Sequence, residues 1–291
     1  MIRRTIPHLD LAQIAASGQC FTWGRGAAGS WTIPAGERLV TACQRGEELT
    51  FSCDMAEFDA FWAGYFDLDT DYGALKASVD PAEFDAFWAG YFDLDTDYGA
   101  LKASVDPADR YLTAAVAHGG GIRILRQDFW EVLVSFLISQ NNNITRIIRS
   151  MALLRERYGK STGGFRAFPR PEGLAGVSEA DFRDVGLGYR AKYLTWLSRE
   201  LAGGGLEALE RTLLDAGDEE AERTLMGLYG VGKKVADCVC LFGLHRTDFF
   251  PVDTHIRQVL DRHYPGGFPR ERYRGGLGIL QQYMFYYDLK Q

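Results

Sequence analysis

The sequence predicts an α+β fold: an N-terminal antiparallel β-sheet domain followed by an all-α domain built around two helices joined by a glycine hairpin. Three observations predict it. Short β-type runs are confined to the first 55 residues, and helical periodicity takes over from Asp128. Gly230-Val231-Gly232 then interrupts two helical patterns, Ala221 to Leu228 and Lys233 to Leu244. Glycine tolerates the positive φ that such a tight turn demands.

Taken in order, residues 1–55 hold Trp31-Thr32-Ile33, Leu39 to Cys43 and Leu49 to Cys53, the last two separated by turn chemistry at Arg45-Gly46. This reads as an antiparallel sheet with a helix. The segment 56–81 then recurs residue for residue as 82–107. Arrays need about three or more units, so two identical copies point to a recent tandem duplication or an error in the gene record. Both copies suit the same docking site. One is expected to pack natively, with preference for the second, which leads directly into Tyr111-Leu112; the other is expected to form a peripheral helical excursion. The domains are therefore placed at 1–119, containing the duplication, and 120–291.

Within the second domain, Trp130, Val132, Leu133, Phe136 and Leu137 make a helix apolar nearly all round, which predicts burial at the centre. It ends at Ser139-Gln140, before three asparagines. Ile144 to Tyr158 is amphipathic, with Ile147, Ile148, Met151 and Leu154 expected inward. A Gly/Pro-rich loop follows over 160–171. Ser178 with Asp181 three residues on is an N-cap signal, and the short helix it starts should stop at Gly186-Leu187-Gly188. Further helices are expected over 191–201, 206–214, 254–262 and 276–289.

The bulk numbers fit a globular protein: 291 residues, 46% hydrophobic and 24% charged. No apolar run approaches a membrane span, and Met1-Ile2-Arg3-Arg4 lacks a signal-peptide core. Five dispersed cysteines have no framework spacing and are expected as reduced thiols. The net charge is −7, yet residues 121–200 carry 13 Lys+Arg against 8 Asp+Glu. Each copy of the repeat carries six acidic residues and one lysine, so much of the acidity lies there.

The hairpin exposes backbone N–H groups at a helix N-terminus, which suits a phosphate. Lys234 and Cys238, four apart, share a face of the helix that follows. Asp253 stands where the next helix begins, an excellent N-cap position whose carboxylate stays ionised there. An amine and a carboxylate beside a phosphate clamp suit chemistry at a sugar carbon. Plainer readings stand beside these: a solvated surface lysine, a purely capping aspartate, asparagines that only accept left-handed geometry after a helix, and core packing for Cys238 and Phe285. Tyr189, between glycine and Arg190, reads as an exposed aromatic tip. Lys233 lies about 100° round the helix from Lys234 and is expected to face phosphate or water.

Gly-Val-Gly-Lys-Lys-Val-Ala-Asp-Cys followed by Pro-Val-Asp-Thr-His resembles the helix-hairpin-helix DNA glycosylase superfamily, and within it the 8-oxoguanine DNA glycosylase family. Ser17 to Trp23, Gly121 to Asp128, Ser139 to Ile144, Gly186 to Arg190 and Phe285 to Gln291 are similar to that family too, in its order. The resemblance implies Lys234 as the Schiff-base nucleophile, which attacks only as the free amine, and Asp253 as its ionised partner. It implies a base pocket in which the Gly18 carbonyl recognises the N7–H of the oxidised purine, Gln281 reads the Watson–Crick edge, and Phe285 and Cys238 sandwich the ring. The lesion must leave the stack before its sugar can be reached. By resemblance Asn141 fills the gap, Tyr189 wedges into the stack, Arg146 and Arg190 bond the estranged cytosine, and Gly230, Gly232 and His255 meet phosphates.

The implied activity is excision of 8-oxoguanine, preferably opposite cytosine, from duplex DNA, with nicking of the abasic site by β-elimination. No cofactor and no redox or catalytic metal is expected, the resemblance leaves room for an alkali or alkaline-earth cation on the hairpin carbonyls, and no cysteine follows Cys240 to hold an iron–sulfur cluster. The expected partner is double-stranded DNA bound by a monomer, in the cytoplasm with the nucleoid of a bacterium or in the nucleus of a eukaryote. Two rivals remain: a related lyase for another damaged base or for abasic sites, and a non-catalytic DNA-binding module.

Overall fold

The computed structural model describes residues 2–52, 85–162 and 165–289. β1 (Ile2–Thr5), β2 (Gly24–Arg25), β3 (Trp31–Ala35), β4 (Arg38–Arg45) and β5 (Glu48–Ser52) form one antiparallel sheet in the order β1-β5-β4-β3-β2. The β4–β5 turn falls at Gly46, with φ +63°. Helix α1 (Leu11–Ala16) buries Leu11 and Ile14 in the sheet's core, capped by Asp10 and tied to β4 through Gln44, whose side chain bonds Leu11 N and Leu9 O.

The second copy of the repeat docks on the sheet. From Asp85 onward its Trp88, Tyr91 and Phe92 join Ile14, Ile33, Val40, Leu49 and Phe51 in the sheet's core. The aromatics meet edge to face, Trp88 to Tyr91 at 5.4 Å and Tyr91 to Phe92 at 5.2 Å. The first copy, 56–81, lies outside the described residues, and so does the excursion expected for it.

Two helices unforeseen in the sequence reading follow the docked strip: α2 (Tyr98–Ala103) and α3 (Arg110–Gly119), with Asp97 and Asp109 as N-caps. Then come α4 (Phe129–Ser139), α5 (Ile144–Tyr158), α6 (Pro171–Leu174), α7 (Glu179–Asp184), α8 (Ala191–Glu200), α9 (Gly205–Asp215), α10 (Asp218–Met226), α11 (Lys233–Phe242), α12 (Thr254–His263) and α13 (Leu277–Asp288). Helix α4 is the spine, buried along most of its length and packed on α11, with Phe136 stacked on Phe242 at 5.2 Å. Ser178 caps α7 through the N–H of Asp181. In α5, Ile147, Met151 and Leu154 face inward, but Ile148 is 42% exposed, contrary to expectation. Both isoleucines have helical spacing to Met151, and the helix can turn only one of them inward.

The two cores are stitched together by side chains, not by the chain boundary. Tyr98, Val105, Leu112 and Ala115 belong to the helical core, and α3 packs along α13. At the seam the buried carboxylate of Asp93, in the second repeat copy, accepts from Thr96 Oγ1 (2.9 Å), Tyr98 Oη (2.8 Å), Arg126 Nη2 (3.1 Å) and His245 Nε2 (3.1 Å). Burial alone would raise its pKa, but the His245 bond and charge, with those of Tyr98 and Thr96, hold it below the usual carboxylate range. Among the described residues no helix is long and apolar enough to cross a membrane.

Candidate active site

The site is assembled where α4 ends. Gly230 turns the hairpin at φ +91°, and a Cβ there would lie 2.4 Å from the Tyr193 ring, so only glycine fits. Gly232 N-caps α11 without a side chain to bond its first-turn N–H groups. One residue into that helix, Lys234 is half-buried; its Nζ lies 3.5 Å from Ser139 Oγ and 5.1 Å from the centre of the Phe136 ring.

Asp253 caps α12, its Oδ1 accepting from Ile256 N at 2.8 Å. Lys234 and Asp253 form no ion pair with each other among the described residues, but both act on the same thiol. Burial pushes Cys238 up to about 11, with Lys234 pulling it down and the charges of Asp237 and Asp253 adding to the rise. Cys238 is therefore a neutral, buried packing group within reach of both charges. Lys233, expected to meet phosphate or water, is exposed as expected and also pairs with Glu222 and, at 3.3 Å, with Asp237. Burial opposes its charge, but the two carboxylates outweigh it and hold the ammonium above the usual lysine range. The cause is one helical turn: Asp237 stands four residues on, on the same face.

The DNA-facing candidates cluster at the same end of α4, just beyond Ser139. Asn141 is exposed and left-handed at φ +47°. Arg146 is exposed on the first turn of α5, which Asn143 caps. Tyr189 is 47% exposed, its hydroxyl 3.4 Å from Gln140 O and its ring 4.4 Å from the Arg190 guanidinium. Arg190 itself is buried and tied to the chain: Nε donates to Gln140 O at 2.8 Å, Nη2 to the same oxygen and to Asn141 O at 2.8 Å, and Nη1 to Leu187 O at 3.3 Å. The Gln140 side chain in turn donates to Gly230 O at 3.0 Å. Gln140 thus ties the hairpin, the asparagine loop and the Tyr189 tip to one another.

The expected base-pocket residues converge in part. Gly18, at φ +75°, abuts Phe285, which a Cβ would meet at 3.2 Å. Gln281 stands one turn before Phe285 on α13 and is buried, its Oε1 accepting from Gln282 Nε2 at 3.0 Å. His255 is exposed, its ring edge against Phe285 at 5.9 Å and its Nδ1 3.6 Å from Asp288 Oδ2. A separate cleft runs from Lys234 past Lys233, Asp237, Phe250, Arg257 and Arg270; Gly18, Cys238, Gln281 and Phe285 do not line it.

A family profile described as HhH-GPD superfamily base excision DNA repair protein matches residues 134–269. A second, described as 8-oxoguanine DNA glycosylase, N-terminal domain, matches 1–83 and again 74–133, the two matches overlapping inside the duplication. The solved 8-oxoguanine glycosylase/lyase of Clostridium acetobutylicum, bound to double-stranded DNA with cytosine opposite 8-oxoG, is 32% identical with a TM-score of 0.82, over 99% of this chain and 94% of that one. The chain belongs to the 8-oxoguanine DNA glycosylase family. Among curated members, the N-glycosylase/DNA lyase of Saccharomyces cerevisiae is 41% identical over 158 residues, and the N-glycosylase/DNA lyase OGG1 of Arabidopsis thaliana is 43% identical over 149. These matches cover 50% and 49% of this chain but only 42% and 40% of those relatives.

Within this glycosylase fold, sequence reasoning missed Ser139 and Gln140 as members of the site and His245 as a partner of Asp93. Ser139-Gln140 marked the end of a helix and part of the family resemblance, with no role assigned to either side chain. No local pattern announces that a side chain will reach a hairpin 90 residues away.

Proposed function

We propose that the protein is a bifunctional DNA glycosylase/AP lyase that removes 8-oxoguanine, preferably opposite cytosine, in base-excision repair. The observation that carries this is that Lys234, in the first turn of the glycine-hairpin helix, and Asp253, the N-cap of the next, both act on the buried Cys238 thiol, with Lys234 Nζ 3.5 Å from Ser139 Oγ. The free amine of Lys234 attacks C1′ of the everted nucleotide as the bond to the base breaks. Asp253 stabilises the cationic sugar and takes up the proton the amine sheds. Ring opening gives a Schiff base between Lys234 and C1′; loss of a proton from C2′ then expels the 3′ phosphate oxygen. The aromatic floor of Phe136 and the Ser139 hydroxyl restrict the rotamers open to Lys234.

Gly18, Gln281, Phe285 and Cys238 form the base pocket in this reading. Gly230, Gly232 and His255 hold the backbone phosphates, Asn141 and Tyr189 fill and pry open the stack, and Arg146 with Arg190 reads the orphaned cytosine. Arg190 reaches a base only by exchanging bonds it now makes to the loop, whereas Arg146 is free to reach from solvent. The protein works as a monomer on duplex DNA, in the compartment that holds the genome. The test is strand cleavage of 8-oxoguanine duplexes with C, A, G or T opposite the lesion. Fastest turnover opposite cytosine is expected; equal turnover on all four would remove Arg146 and Arg190 from the account, and none on any would refute the activity.

A further inference from the structure

The last helix carries a second glutamine beside the first, and it is built at a cost. Gln282 is 4% exposed; its Nε2 donates to Gln281 Oε1 at 3.0 Å, while its own Oε1 is buried with no hydrogen-bond partner among the described residues. A buried orphan acceptor is unfavourable, and an apolar side chain of similar shape would avoid the penalty. A purely structural role therefore does not account for the amide. What the amide does is hold Gln281: without that donor, Gln281 is free to rotate its terminal group by half a turn and exchange its oxygen for its nitrogen.

We propose that Gln282 is a positioning residue for base recognition, fixing which face of the Gln281 amide meets the Watson–Crick edge of the everted purine. The inference rests on the base-pocket reading of Gln281. An amide rotated the wrong way presents a donor where guanine's own N1–H and N2–H₂ need an acceptor. Gln282 touches neither the amine nor the sugar in this scheme, so an abasic site, which has no base to read, does not need it.

The test is Gln282→Met in the full chain, assayed on two substrates: single-turnover release of 8-oxoguanine from a duplex, and cleavage of a duplex with a preformed abasic site. Base release is expected to fall about tenfold, the worth of one oriented hydrogen bond, with abasic-site cleavage unchanged and the melting temperature equal to or above that of the parent. Gln282→Asn, which keeps the donor, should recover part of the loss. Equal losses on both substrates, with a lower melting temperature, would make Gln282 a packing residue and overturn the proposal. No loss on either would overturn it too. A parent chain that cleaves abasic sites but releases no 8-oxoguanine would refute the base-pocket reading itself, before any variant is compared.

Discussion

The guanidinium of Arg190 closes the asparagine loop, donating from Nε to Gln140 O at 2.8 Å and from Nη2 to Asn141 O at 2.8 Å. A planar fork of donors makes both bonds at once, which a lysine cannot do. The same side chain is proposed to read cytosine, so the loop and the opposite base compete for one set of donors.

Arg190→Lys should therefore lower stability and blur selectivity together. Losing the paired charge-assisted bonds to two carbonyls costs about 2 kcal/mol. Urea unfolding should show a lower midpoint, and the excision ratio for cytosine over adenine should shrink. Unchanged selectivity with lower stability would confine Arg190 to the loop.

The Asp93–His245 contact predicts acid sensitivity at the seam between sheet and helices. The folded-state pKa of Asp93 lies below its ordinary value, so its stabilisation is fully present above the unfolded carboxylate's pKa, about 4. It is lost as pH falls through the depressed folded value. Asp93→Asn should melt lower than the parent near neutrality, and the gap should narrow below about pH 4. A gap that stays constant down to acid pH would mean the carboxylate's charge is irrelevant.

Deleting either copy of the repeat yields the same shortened chain, because 56–81 and 82–107 are identical. The docked aromatics Trp88, Tyr91 and Phe92 are then retained whichever copy is removed. The shortened protein should fold, melt no lower than the parent and keep its abasic-site cleavage. Loss of soluble protein would show that the additional copy contributes to stability.

Legibility followed sequence distance. The hairpin, the Asp253 cap and the buried α4 are local patterns of glycine, capping residue and apolar run, and each stands where the residues put it. Strand β1, Ile2-Arg3-Arg4-Thr5, was hidden by two arginines on a sheet edge. Helices α2 and α3 had visible caps in Asp97 and Asp109, masked by the acidic repeat around them. The Lys233 pair with Asp237 was readable from i,i+4 spacing, whereas its Glu222 contact, the Ser139–Lys234 approach and the Asp93–His245 bond are tertiary encounters that periodicity does not encode.

Borohydride trapping bears most directly on the chemistry. Incubated with an 8-oxoguanine duplex, the parent chain should give a covalent protein–DNA adduct on reduction, as a Schiff base requires. Lys234→Gln should give none while still binding the duplex, and Lys233→Gln should trap as the parent does. An adduct that persists in Lys234→Gln would contradict the assignment of the nucleophile.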